Sequence, residues 1–131
     1  MAFAYTILYV DDVGSTLDFY AAAFGLPVRL RHESGDYGEM DTGGTTLSFT
    51  SRRLMRTLGK HPSSPDPSQP QFEIAFTVED VPAALDRALT AGAQLVQPPA
   101  YMPWGQTTAY VTDLNGFLVE LCTVVTQQPA G

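Results

Sequence analysis

The spacing of apolar and polar positions changes period several times along the chain, and each change marks an expected element. From Val13, the apolar positions Val13, Leu17, Tyr20, Ala21 and Phe24 recur at helical spacing and stop at Gly25, with Pro27 just beyond. Val81, Leu85, Ala88 and Leu89 repeat the pattern and stop at Gly92. Each run follows an aspartate, Asp12 or Asp80, whose carboxylate can accept bonds from first-turn amides that have no partner inside the helix. Pro82 suits that first turn, where its missing N–H would have been unpaired in any case. Helices are therefore expected to start at Val13 and Val81.

Period two takes over after each helix. PVRLRHES, DYGEMDT and TTLSFTS read as three strands with turns at Ser34-Gly35 and Gly43-Gly44. AQLVQ, QTTAYVTD and FLVELCT read the same way, with turns near Pro98-Pro99 and Asn115-Gly116. A strand also precedes each helix. On the first, Tyr5, Ile7 and Tyr9 share a face. On the second, between Phe72 and Val78, Ile74, Phe76 and Val78 take one face while Glu73, Ala75 and Thr77 take the other. Each half is thus strand, helix, strand, strand, strand. The expected organisation is a single domain over residues 1–131, with a first module at 1–50 and a second at 71–125. The Pro/Ser-rich stretch 51–70 joins them as a linker, with room for one helical turn around Arg53 to Leu58.

The halves also echo each other in residues. YVDDVGSTLDFY, from Tyr9, resembles TVEDVPAALDRA, from Thr77. DTGGTTLSF, from Asp41, resembles DLNGFLVEL, from Asp113. One short echo is weak, but two in the same order at nearly equal displacement, each at the same kind of junction, favour a duplicated unit. The displacement that carries Tyr9 to Thr77 also carries Tyr5 to Glu73, and the one that carries Asp41 to Asp113 carries Ser48 to Glu120.

Composition narrows the function classes. A chain of 131 residues with 44% hydrophobic content can bury one good core. A formal charge of −7 with only seven Lys and Arg argues against a nucleic-acid partner, which would need clustered cations. Ordinary solubility accounts equally well for the acidity. The single cysteine, Cys122, cannot form an internal disulfide, and it has no obvious base beside it that would make it reactive. No basic leader or long apolar run occurs, so secretion and membrane insertion are not expected and a cytoplasmic location is.

The order βαβββ-βαβββ, the Val-x-Asp-Val helix start, the pattern VxDVxxxxxFYxxxFGL, the PWGQ before a strand and the terminal DLNGFLVEL together resemble the vicinal oxygen chelate superfamily. That group contains glyoxalases, extradiol dioxygenases and bleomycin-resistance proteins. The resemblance implies an α+β fold: tandem βαβββ modules form a curved mixed sheet around a shared cavity, usually completed by a second copy in a homodimer. It also implies that the positions supplying metal ligands in such proteins are Tyr5, Ser48, Glu73 and Glu120 here. A glutamate at either position equally suits a strand face turned to water.

Metal-using members hold a divalent ion with three or four protein ligands, mostly imidazole and carboxylate, and these four places offer two. A protonated phenol and a serine hydroxyl are poor donors. His32 and His61, the only imidazoles, fall outside the set. A divalent metal is disfavoured and no cofactor is expected, so the resemblance is closest to metal-independent, bleomycin-resistance-like members. Two carboxylates in a partly apolar cup favour a cation between them, and aromatic faces add stacking and cation–π attraction. The expected ligand-binding set is Tyr5, Ile7, Tyr9, Ser48, Glu73, Trp104, Gln106, Tyr110 and Glu120, taking a small aromatic or cationic molecule. Trp104, just before the seventh strand, either caps such a cavity or plugs it. Arg31 and Glu39 are expected to pair across strands on the outside. The alternative function is a metal-dependent lyase, isomerase or dioxygenase of glyoxalase type with its ion at Glu73 and Glu120. Metal-free acid–base chemistry by either glutamate is a third.

Overall fold

A computed structural model of the protein describes residues 1–126. The chain forms two compact units, Met1–Pro65 and Asp66–Gly131. The first holds strand β1 (Tyr5–Val10), helix α1 (Val13–Phe24), strands β2 (Val28–Arg31), β3 (Tyr37–Met40) and β4 (Thr46–Ser51), and helix α2 (Arg52–Thr57). The second holds β5 (Glu73–Thr77), α3 (Val81–Thr90), β6 (Gln94–Met102), β7 (Gln106–Thr112) and β8 (Leu118–Cys122). Each unit builds one mixed four-stranded sheet, in the order β1-β4-β3-β2 and β5-β8-β7-β6. In both, the first and last strands pair in parallel and the remaining pairs are antiparallel. The duplication read from the sequence is therefore a duplication of topology.

The helices begin where their caps place them. The Asp12 carboxylate accepts from the Ser15 amide at 2.9 Å, and the Asp80 carboxylate from the Ala83 amide at 3.0 Å. Gly25 closes α1 with φ 69°, a left-handed conformation that costs glycine little. Asp80→Ala is expected to lower stability by about 1 kcal/mol through the loss of this cap, measured by urea unfolding.

Packing follows the two periods. In the first unit, Leu17, Tyr20, Phe49, Met40 and Val10 are fully buried, with the Tyr20 and Phe49 rings 4.9 Å apart between α1 and β4. Gly38 lies under Leu17, where a Cβ would come within 2.5 Å of Leu17 Cδ1. In the second unit, Val81, Leu85 and Ala88 of α3 are buried together with Val111, Val119 and Leu121 of the sheet. These side chains fix one face of each sheet against its helix, so alternate residues point the other way.

The stretch 51–70 holds the helical turn expected there: Ser51 ends β4 and caps α2, accepting from the Leu54 amide. Arg52 is buried, held by Asp11 and the Tyr9 carbonyl, and the division between units falls after Pro65. Two expectations need correction. Pro98-Pro99 is not a turn. Strand β6 runs through it, with register shifts between Leu95 and Ala100 that absorb the missing amides, as an edge strand allows. The turn comes at residues 103–105, where Gly105 takes φ 80°. Finally, Arg31 pairs with Asp18 of α1, and Glu39 with Arg29 at 3.6 Å. A register shift between Val28 and Leu30 turns Arg29 to the face opposite Arg31.

Candidate ligand-binding faces

In each unit the sheet face turned away from the packed helix carries the candidate residues. In the first unit, Tyr5 stands in register with Thr46, Ile7 with Ser48 and Tyr9 with Thr50. On the other side of β4, Ser48 faces Glu39 and Thr50 faces Tyr37. The Tyr37 hydroxyl donates to Glu39 at 2.5 Å, and burial together with that carboxylate pushes the phenol up to about 12. The Arg29 guanidinium lies beside Glu39 and also reaches the Thr46 hydroxyl. Lys60 sits over the Tyr9 ring, 5.6 Å from its centroid, with its ammonium near the phenol oxygen. Among the described residues the buried Thr50 hydroxyl has no hydrogen-bond partner, and the buried Ser48 hydroxyl lies close to the Tyr37 phenol. Tyr5 and Ile7, by contrast, are about half exposed on the edge strand.

In the second unit, Glu73 is in register with Leu118 and Ala75 with Glu120, so the two carboxylates sit diagonally on neighbouring strands of one face. Tyr110, opposite Glu120 on β7, donates its hydroxyl to that carboxylate. The bond to the Glu120 carboxylate, then partial burial, holds the phenol above its ordinary range. Partial burial, then the Glu120 charge, raises the Glu73 carboxyl above its ordinary 4.5. A raised carboxyl binds its proton more tightly in the folded state. Ionising Glu73 therefore costs stability as pH rises from 4.5 through the folded value, and the cost is absent below that window. Among the described residues neither Glu73 nor Glu120 has an ion-pair partner.

Around this pair the face continues. Cys122 lies two residues from Glu120 along β8, and burial, then the bond to that carboxylate, pushes its thiol up to about 11. Gln106 donates its amide to the Thr123 carbonyl at 3.1 Å and accepts the Trp104 indole N–H at 2.6 Å. Tyr5, Ile7, Tyr9 and Ser48 thus gather on the first face, and Glu73, Trp104, Gln106, Tyr110 and Glu120 on the second. Sequence reasoning missed Tyr37, Glu39 and Arg29 as members of the first face. Their signal was the parity of Tyr37 and Glu39 along β3, which the Ser48 register turns into a direct contact.

Among the described residues, Glu73 and Glu120 are the carboxylates of this cluster, and Tyr110 donates to Glu120. Among the described residues no group of three or more His, Cys, Asp or Glu side chains is placed to hold a metal. His32 is exposed and holds Ser34 in the β2–β3 turn, while His61 is exposed in the segment after α2. No described helix is long and apolar enough to cross a membrane.

The model of the Glyoxalase/Bleomycin resistance protein/Dioxygenase superfamily matches residues 2–121. The chain belongs to that superfamily. Among relatives, the uncharacterized protein YraH of Bacillus subtilis (strain 168) is 27% identical over 117 residues, covering 87% of this chain and 91% of its own. The uncharacterized protein Mb0911c of Mycobacterium bovis is 32% identical over 114 residues, covering 83% and 74%. A glyoxalase-related enzyme from Fulvimarina pelagi has the same fold, with a TM-score of 0.81 at 24% identity over 100% of this chain and 93% of its own. Superfamily membership accounts for the α+β architecture of two mixed sheets. It leaves the ligand to be argued from the faces themselves.

Proposed function

We propose that this superfamily member binds a small aromatic cation on the open face of the second unit, without metal and without chemistry. The observation that carries the reading is the Glu73–Glu120 pair, two neighbouring carboxylates with no ion-pair partner among the described residues. Such a pair is relieved either by a proton or by a cation. Tyr110 supplies aromatic surface beside it, worth roughly 0.5 to 2 kcal/mol per favourable cation contact, and Trp104 stands further along the same face by Gln106. The first face contrasts with this one, because Arg29 already neutralises Glu39 there.

Calorimetric titration with proflavine, a planar aromatic cation, tests the reading against anilinonaphthalene sulfonate, a planar anion. Proflavine is expected to bind with an affinity that increases as pH rises from 4.5, because the proton on Glu73 competes with the ligand. Equal binding of both probes, or an affinity indifferent to pH, would count against a carboxylate-bound cation.

The protein is further inferred to work as a homodimer in the cytoplasm. The edge strand β1 leaves Tyr5 and Ile7 about half exposed, and a second copy would cover such a strand. Sedimentation equilibrium is expected to return twice the monomer mass, and a monomer at high concentration would remove this part of the proposal.

A further inference from the structure

Trp104 is 47% exposed, yet both its ring and its turn are tied by hydrogen bonds. Its only polar atom, Nε1, donates to Gln106 Oε1 at 2.6 Å, and Gln106 in turn donates from Nε2 to the Thr123 carbonyl just past β8. The turn itself is closed by the Gly105 amide on the Met102 carbonyl at 3.0 Å. The Gly105 carbonyl accepts from the hydroxyl of Thr126 at 2.9 Å and from its amide at 3.2 Å. The Thr107 amide donates to the Thr123 side-chain oxygen at 3.0 Å. Holding a large side chain in one rotamer sacrifices conformational freedom, and here little burial compensates for it. What the arrangement leaves open is the ring, with its hydrogen-bonding edge already occupied.

We propose that Gln106 is the positioning residue for Trp104, holding the indole as a stacking platform for the planar part of the ligand. The role in binding rests on the function proposed above, but the positioning itself does not. Gln106 alternates with Thr108 and Tyr110 along β7, so the indole it holds stands at one end of the face that carries Glu120. With Nε1 occupied, the ring offers contact through its π surface alone. That selects flat, aromatic ligands over ones that need a hydrogen-bond donor from the site. Pre-ordering the ring also removes part of the entropy cost that a ligand would otherwise meet.

Trp104 is the one tryptophan of the chain, so intrinsic fluorescence reports on it alone. Time-resolved anisotropy of the ligand-free protein is expected to show no sub-nanosecond indole rotation in the wild type. Gln106→Leu, which cannot make either bond, is expected to introduce that fast component while leaving circular dichroism unchanged. Gln106→Glu keeps the acceptor for Nε1 and is expected to restore most of the slow decay. Gln106→Leu should also weaken proflavine about fivefold, the scale of ordering one side chain. A fast component of equal size in the wild type and Gln106→Leu would overturn the positioning role. A freed indole with unchanged proflavine affinity would overturn the stacking role. If the wild type binds no proflavine at all, the binding function fails while the anisotropy comparison still decides the positioning. Gln106→Ala repeats the test should the bulkier leucine disturb the turn.

Discussion

Replacing both Glu73 and Glu120 by glutamine is expected to weaken proflavine binding by roughly a hundredfold. Each carboxylate that meets a cation in a partly desolvated setting contributes on the order of 1.5 kcal/mol, and a factor of ten corresponds to about 1.4 kcal/mol. The two are not independent, since the Glu120 carboxylate raises the cost of ionising Glu73. The single variants are therefore expected to fall between wild type and double variant, but not to sum to its effect. The ionic-strength dependence of the affinity should flatten in parallel, because the charge that salt screens is gone. Calorimetry at two salt concentrations measures both. A double variant within about twofold of wild type would place the ligand somewhere other than this face.

A comparably large effect on stability is expected from Gly38→Val. The position faces α1, and the first atom of any side chain would lie 2.5 Å from Leu17 Cδ1 and 3.1 Å from its Cγ. Leu17 is 1% exposed and cannot swing aside into solvent. Overpacking of this kind costs about 1–3 kcal/mol for a modest increase in volume. Valine adds two methyls beyond that first clash, so a loss of roughly 3 kcal/mol is expected in urea unfolding. Trimming the neighbour should reveal the cause: Gly38→Ala combined with Leu17→Ala is expected to be less destabilised than the two single variants summed. Strict additivity would mean that the close approach is not what requires glycine.

Much of this architecture could be read in advance because it rests on short-range rules. Asp12 and Asp80 announce their helices through bonds to amides only three residues away. The alternation in TTLSFTS and FLVELCT assigns faces without any knowledge of partners, and the equivalence of Ser48 with Glu120 follows from register within each repeat. What stayed hidden depends on pairing between strands. The shift between Val28 and Leu30 reverses the side on which Arg29 appears, which is why Arg31 meets Asp18 and not Glu39. Pro98-Pro99 resembles a turn locally, and only its place on an edge strand makes it tolerable inside β6. Ser51 has no polar stripe to mark it as a cap, because the helix it starts is a single short element packed on β4. The Trp104–Gln106–Thr123 chain joins two strand ends through side-chain amide geometry, for which the sequence carries no periodic signal.

Carbon-13 NMR of protein labelled at the glutamate carboxyl carbons addresses the cation site most directly, since it follows every glutamate through a pH titration with and without proflavine. The prediction is that Glu73 titrates above the ordinary range in the free protein and that proflavine lowers its midpoint, moving the Glu73 and Glu120 signals while leaving Glu33, Glu39 and Glu79 in place. Movement of Glu39 in their stead, or a Glu73 midpoint indifferent to the cation, would contradict it.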